Sequence, residues 1–454
     1  MTVGKAVNEA IVLGGGIAGL AAAWALRDRD VLVLEADDRV GGRIKSIPRG
    51  RYWLNVGAHV FGGAGSATGR LLDATGVTAG DVPGVLAGLA FKGKILTTGR
   101  VETYPFRLPL RWRDRWTLAR AGIRLRLAVS EYGRMSRPRE GESAEERRTR
   151  IMSFRGDETF SDFLGDVPED VDAMFRPTIN RSSGEPEEVT AGYGIGYFQL
   201  VWDRQAGLAR NIFGGPSQLP EAIARTLGDR VRLRCPVREV TTEDDHVRVR
   251  YEEDGVLRER LARYVVAATP AYVTRRIIPG LAPKTREALE AISYGPYVVA
   301  AFLTGETGPA PWDDLYAVAT PKKSFNMVFN MANILRPKSD IRQPGGSLMV
   351  YSGAGLARRL ADLDDHQIAE RYVEDLSSVF PGIAEIVEEV YIQRWEHGLP
   401  HPRPGRHRVQ AALERPLGRI FLAGDYLGTT YTETAIETGT SAASAIRLAL
   451  EAPP

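Results

Sequence analysis

Residues 10–19 read Ala-Ile-Val-Leu-Gly-Gly-Gly-Ile-Ala-Gly, and no other stretch limits the possible folds so sharply. Ala10–Leu13 is a short apolar strand and Leu20–Leu26 an apolar helix, joined by Gly14, Gly16 and Gly19 at the spacing G-x-G-x-x-G. The first glycine allows a tight turn, the second lets a pyrophosphate approach the backbone, and the third lets helix and strand pack closely. Amides at the helix start then face the phosphate, aided by the helix dipole. A second apolar strand, Val31–Leu34, ends in Glu35, whose carboxylate is placed to accept both hydroxyls of an adenosine ribose. A glycine-rich turn in an unrelated α/β protein is the plain alternative, and the order strand, turn, helix, strand, acid argues against it. The unit predicts a dinucleotide site and leaves nicotinamide and flavin both open.

The next residues lean toward flavin. Arg39-Val40-Gly41-Gly42-Arg43 follows the second strand, where a simple dehydrogenase needs nothing special. A glycine pair backed by Arg43 can wrap the diphosphate from its other side, with the guanidinium neutralising charge. Standing alone, the run would read equally well as a surface turn with two solvated arginines.

A chain of 454 residues has room for two or three domains. Its net charge of +2 supplies no global field that would favour nucleic acid. The single cysteine, Cys235, excludes an internal disulfide, and no His/Cys/carboxylate cluster has metal-ligand spacing. The N-terminal residues lack the charged-then-apolar pattern of a signal peptide, and the apolar run Ala10–Leu26 is interrupted by glycines. A soluble, cytoplasmic protein is expected, its oligomeric state open.

Further along, Asn55–Gly63 is a second glycine-rich segment, with His59 on backbone that can approach a planar ring. From Tyr104 to Met135 the chain is helical and arginine-rich, with Leu, Trp and Ile interleaved. A solvated amphipathic face is the plain reading, and a membrane-surface or anionic-substrate role the alternative. Arg134–Arg150 reads as a charged loop or helix end. The α/β pattern returns with a helix over Gln218–Leu227 and strands over Val231–Val240, Val247–Tyr251 and Arg260–Ala268. Residues 294–393 carry mixed strands and a helix near Asp364–Val379. A buried strand, a loop and a small-residue helix close the chain. Thr430-x-x-Glu433 has the form of a capping box, so a helix is expected to start beside Tyr431. Its positive end would stabilise negative charge on a reduced flavin. Ala435, Gly439, Ala442 and Ala443 keep one face of that helix small.

Four elements, in order, resemble the superfamily of flavin amine oxidases, protoporphyrinogen oxidases and phytoene desaturases. They are the Gly14–Gly19 loop with Glu35, "RVGGR", "VRLRCPVREV" and "FLAGDY…TAIETGTSAA". The resemblance spans nearly the whole chain. It implies an α/β fold: a discontinuous Rossmann-like FAD-binding domain (1–85, 207–290 and 408–454) with an inserted mixed α+β substrate domain (86–206 and 291–407). It implies that Gly14, Gly15, Gly16, Ala18 and Gly19 hold the FAD diphosphate, and that Glu35 and Ala36 lie at the adenosine ribose. Gly42 and Arg43 would lie along the diphosphate, and Val237 would meet the adenine through its backbone. Gly57, Ala58 and His59 would line the isoalloxazine. Gly424 and Asp425 would contact the diphosphate and ribityl chain, and Thr434 and Ala435, at the helix start, would face the flavin pyrimidine.

The chain also departs from the amine oxidases. Where they carry a lysine near flavin N5, the strand "SYGPYVVAAFL" has valine or alanine, which argues against simple primary-amine oxidation. No cysteine lies near the C-terminal motif, so non-covalent FAD is expected. Tyr431 falls where amine oxidases place one wall of an aromatic cage; the second wall is not identifiable. "RWEHGLPHPRPGRH" resembles protoporphyrinogen oxidases, which lack the lysine too, and "GAHVFGG" is similar to the flavin-proximal segment of UDP-galactopyranose mutases. His59 and Tyr431 are the candidate catalytic residues. His397 and His401 are candidates beside the flavin, more simply read as polar loop residues, and His246, His366 and His407 read as surface residues. The expected activity is removal of a hydride from a C–N or C–H bond of a small-to-medium, partly apolar substrate. Flavin N5 would be the acceptor and oxygen or another electron acceptor the final oxidant. Oxidation of C–C bonds in a lipophilic substrate, a non-redox sugar-mutase-like isomerisation, and a flavin-binding module without activity are the alternatives. No nucleic-acid partner is expected, and membrane contact is the less favoured reading.

Overall fold

The computed structural model describes residues 7–83, 88–98, 101–202, 208–336, 342–429 and 431–452. The predicted strand is β1 (Val7–Leu13), and the helix that leaves the glycine turn is α1 (Ile17–Ala25). β1 lies inside a seven-stranded sheet ordered 231–232, β2 (Val31–Leu34), β1, 256–267, 247–253, 237–242, with 420–422 joined to the far end of 256–267. Ala10, Ile11, Val12 and Leu13 are each 0% exposed, because helices and loops cover both faces of this largely parallel sheet. The strand Val256–Ala267 changes partners along its length. Its first half pairs antiparallel with Val247–Glu253, and its second half pairs parallel with β1 and Ile420–Leu422.

Five further helices matter below: α2 (Ala67–Thr75), α3 (Trp112–Met135), α4 (Glu169–Ile179), α5 (Ala191–Trp202) and α6 (Thr432–Glu451). α6 packs on α1, and the small-residue face explains how. A methyl group at Gly439 would stand 2.1 Å from the carbonyl oxygen of Ala18, so only glycine lets the helices approach this closely. A second seven-stranded sheet runs 387–400, 294–304, 346–353, 327–330, 317–319, 88–91, 94–96 and is antiparallel except where 317–319 meets 88–91. Its apolar residues merge with those of α3, α4 and α5 into one core.

Two sequence expectations are corrected. The strand expected over Val231–Val240 is two strands, Val231–Arg232 and Val237–Thr242. Arg234 turns left-handed (φ 55°), and Pro236 has no N–H for a ladder. The break lets Cys235 N and Arg234 N donate to Glu35 O (2.7 Å) and Asp37 O (2.9 Å), closing the end of β2. The charged stretch 134–150 is not a loop throughout: Ala144–Ser153 is a helix, started by a reciprocal capping box between Ser143 and Glu146.

α3 presents two apolar stripes. Leu118, Ala121, Leu125, Val129 and Tyr132 face the core, whereas Trp112 (64% exposed), Trp116, Ile123 and Leu127 (68%) form an outward ridge beside exposed Arg113 and Arg120. The helix is amphipathic as the plain reading expected, but its outward side carries an apolar ridge as well. No helix among the described residues is long and apolar enough to cross a membrane.

Candidate active site

The glycine turn is built to receive a bulky anion. Gly14 holds φ 100°, and a methyl there would meet Ala268 O at 2.9 Å. Gly16 is the N-cap of α1, with no side chain capping the helix and no acid in its first turn. A methyl built on Gly16 meets nothing within 4 Å. The "RVGGR" run closes against this turn: Gly41 N donates to Gly15 O (2.8 Å), and a methyl on Gly42 would come within 3.4 Å of Gly16 Cα. Glu35 stands at the carboxyl end of β2 and accepts from Gly15 N and, at 2.8 Å, from Asp37 N. Exposed Ala36 follows it, and Val237 begins its strand two residues beyond the Cys235–Glu35 contact. Open space over Gly16 and an uncapped helix start fit the diphosphate of FAD.

Arg43 joins three distant segments. Its guanidinium donates to Gly398 O (2.9 Å) and pairs with Asp425 Oδ1 (2.8 Å). Burial alone would lower the Arg43 pKa, but the Asp425 carboxylate, with Tyr294 and Tyr272 beside it, holds the group above its usual range. Gly424 adopts φ 152° beneath the Tyr426 ring and is fixed by Thr438, whose hydroxyl meets both Gly424 N (3.0 Å) and Gly424 O (3.2 Å).

At the other end of the cradle, Ala58 N donates to Arg43 O (3.0 Å), so Gly57–His59 is tied to the diphosphate-side run. His59 is 7% exposed, and its Nδ1 lies 3.1 Å from Gly57 O, a contact that requires Nδ1–H as donor. Nε2 is then a buried acceptor without a partner. Burial, reinforced by the charge of Arg181, lowers the His59 pKa to about 3, so the ring is neutral at ordinary pH.

α6 starts as expected, with Tyr431 as its N-cap, Thr434 and Ala435 buried in the first turn, and no capping side chain among the described residues. The capping-box expectation is corrected. Thr430 lies outside the described residues, and the Glu433 carboxylate leaves its own helix to accept from Ala67 N, Thr68 N (3.0 Å) and Thr68 Oγ1 (2.6 Å) at the start of α2.

Between these elements lies an aromatic chamber. The Tyr431 ring stacks on Tyr193 (5.8 Å between centroids) and lies 5.7 Å from Tyr197, both on α5. The Arg181 guanidinium sits 5.0 Å from the Tyr197 ring and 5.3 Å from Phe329. Phe329 meets His59 edge-on at 4.6 Å, and Tyr316 packs on Phe329 at 5.7 Å. The chain of contacts Tyr431–Tyr197–Arg181–Phe329–His59 thus connects the two sequence-predicted catalytic candidates. A cavity of about 340 Å³ adjoins it, lined in part by Tyr193, Tyr431, Thr434, Pro400, His401 and Arg406. Tyr193, Tyr197, Arg181, Tyr316 and Phe329 were not picked out from the sequence. The i, i+4 spacing of Tyr193 and Tyr197 is the one visible signal, since it places both rings on one helix face.

The remaining candidates separate. His397 is exposed against Tyr272 (4.3 Å), whereas His401 is buried, receives Arg403 Nε (3.2 Å) and lines the cavity. His366 lies on the surface, His246 pairs with Glu243 and Asp245, and His407, expected at the surface, is largely enclosed and lines the cavity. Val299 pairs with Gln393 in the strand that lacks the lysine; Lys45 reaches the neighbouring strand, but its Nζ is held by Gln393 Oε1 (2.7 Å). No metal-binding group of His, Cys, Asp and Glu occurs among the described residues.

The family model for flavin containing amine oxidoreductases matches residues 17–447. The chain is 27% identical over 496 residues to amine oxidase [flavin-containing] A of Canis lupus familiaris, covering 97% of this chain and 85% of that relative. It is 24% identical over 476 residues to amine oxidase [flavin-containing] B of the same organism, covering 96% and 86%. Cyclohexylamine oxidase from Brevibacterium oxydans IH-35A superposes with a TM-score of 0.78 at 19% identity, over 98% of this chain and 100% of that one. A putrescine oxidase bound to putrescine gives 0.76 at 19% identity, over 98% and 99%. At that identity the structural likeness speaks for the fold.

Proposed function

Because the chain belongs to the family of flavin-containing amine oxidoreductases, and is a flavin-dependent oxidase with FAD as its cofactor, we propose that it oxidises the C–N bond of a small, partly apolar amine in the aromatic chamber. In this reading residues 1–85, 207–290 and 408–454 bind FAD, and 86–206 and 291–407 shape the substrate site. FAD, when bound, supplies the two-electron acceptor. The substrate carbon gives up a hydride and its nitrogen a proton, leaving C=N; oxygen then takes up the two electrons and two protons as hydrogen peroxide. The observation that carries the reading is the unbroken run of contacts from Tyr431 to His59.

Tyr431, Tyr193 and Tyr197 orient the substrate through their ring faces. His59 is neutral, so it positions rather than donates a proton; its free Nε2 suits it to accept an N–H. We read the cofactor as non-covalent, since Cys235 is held at the Glu35 end of the site. Anaerobic mixing of the purified holoenzyme with amines, amino acids and polyenes tests the proposal. Loss of oxidised-flavin absorbance with a nitrogen-bearing substrate is expected; bleaching by none of them overturns it.

The outward ridge of α3 favours a second reading, in which the oxidised substrate is lipophilic and is taken from a membrane surface. Bleaching by polyenes alone would select it.

A further inference from the structure

Arg181 is a cation for which the described residues supply no anion. Among the described residues no carboxylate pairs with its guanidinium, which rests instead between the rings of Tyr197 and Phe329. Its surroundings are tyrosines: Tyr197, Tyr351, Tyr297 and Tyr316. Two further polar groups beside it are buried without a partner, Tyr316 Oη on a side chain 1% exposed and His59 Nε2 on one 7% exposed.

Arg181 is also held in place. It lies in the 3-10 turn Asn180–Ser182 after α4, where its carbonyl accepts from Tyr297 Oη. The next residue, Ser183, is left-handed (φ 61°). Methyl groups on Gly295 and Gly353 would stand 2.2 Å from Ser183 O and 2.4 Å from Asn180 O, so two strands of the second sheet press directly on this turn. Arg181 is nevertheless only half-buried.

A bare ammonium substrate would enter such a space against a fixed like charge, in surroundings where water screens little. A substrate carrying its own anion removes the conflict. We propose that Arg181 and the Tyr316 hydroxyl form a carboxylate subsite, so that the substrate is an amino acid, with its amine N–H toward His59 Nε2. A guanidinium fork and a phenol O–H are both donors, which a carboxylate can satisfy together, while the neutral imidazole offers the acceptor that an amine needs. The carboxylate is a spectator; the bond oxidised is the Cα–N bond of the reading above, on which this inference rests.

The test uses the FAD-loaded enzyme with matched pairs, L-phenylalanine against 2-phenylethylamine and L-leucine against 3-methylbutylamine, in anaerobic flavin reduction. In the wild type, half-saturation for the amino acid is expected to be at least tenfold lower than for its amine. Arg181→Met should raise it about a hundredfold for the amino acid and by less than tenfold for the amine, and Arg181→Lys should restore part of the difference. Phenylacetate, which has no nitrogen to oxidise, should perturb the wild-type flavin spectrum, and this readout needs no variant to fold. Preference of the wild type for the amines, equal losses for both members of a pair, or silence with phenylacetate overturns the subsite while leaving amine oxidation standing. Reduction by no member of either pair overturns both.

Discussion

Glu433 bonds out of its own helix and into the start of another: Thr68 donates to its carboxylate from both the backbone N (3.0 Å) and the hydroxyl (2.6 Å). With Ala67 N also on Glu433 and Gly69 N on Ser66 Oγ (2.9 Å), three first-turn amides of α2 are satisfied. One carboxylate thus fixes α2 to the start of α6. Removing its charge should cost about 1.5–3 kcal/mol, the range for hydrogen bonds to an ionised group. Glu433→Gln is expected to lower the thermal midpoint and to speed FAD release, followed by flavin fluorescence. Thr68→Val, which loses only the hydroxyl, should show a smaller drop.

Two glycines of the turn should fail in different ways. Gly19→Ala puts a methyl 2.0 Å from Gly14 O, with backbone on both sides of the clash, so it should prevent folding. Gly16→Ala meets only open space and should leave the apoprotein's melting temperature near wild type. Its methyl would occupy the volume meant for the diphosphate, so FAD affinity should fall at least about tenfold (~1.4 kcal/mol) in a fluorescence-quenching titration.

Mild acid should already destabilise the protein. Burial lowers His59 to about 3 and His401 to about 4, from an unfolded value of 6.5. Below pH 6.5 the unfolded chain therefore binds protons that the folded chain refuses, and stability falls as pH falls. Each histidine contributes a slope approaching ~1.4 kcal/mol per pH unit. Urea midpoints measured between pH 6.5 and 5 should drop steadily, and His401→Gln should make the decline shallower.

The α3 ridge makes a prediction of its own. Wild-type protein should sediment with anionic vesicles at low salt and less at high salt, because Trp112 and Trp116 lie beside exposed arginines. Trp112→Ser with Trp116→Ser should stay in the supernatant. If the wild type also stays there, the membrane-fed reading fails.

The nucleotide half of the fold was legible because its signals are local. Gly14, Gly16 and Gly19 each answer a steric demand within a few residues, and Glu35 falls at a strand end that apolar patterning locates. The substrate half was not legible, because its residues meet only through tertiary packing. Tyr197, Arg181 and Phe329 come from a helix, a 3-10 turn and a strand, and beyond the i, i+4 spacing of Tyr193 and Tyr197 no periodic or motif signature marks them. Glu433 misled for a related reason. Its spacing from Thr430 fits a local cap, yet the donors that hold it lie more than 360 positions away, on Ala67 and Thr68.

The way α6 seats on α1, with Gly439 against Ala18, bears on how the molecule comes to exist. Gly14 is synthesised long before Gly424, Thr438 and the helix beyond them. Until those are made, the nucleotide turn has no α6 packed on α1 and no Asp425 for Arg43 to hold. Premature termination anywhere before residue 424 yields a polypeptide with an exposed, alanine-lined groove along α1, a ready substrate for chaperones and proteases.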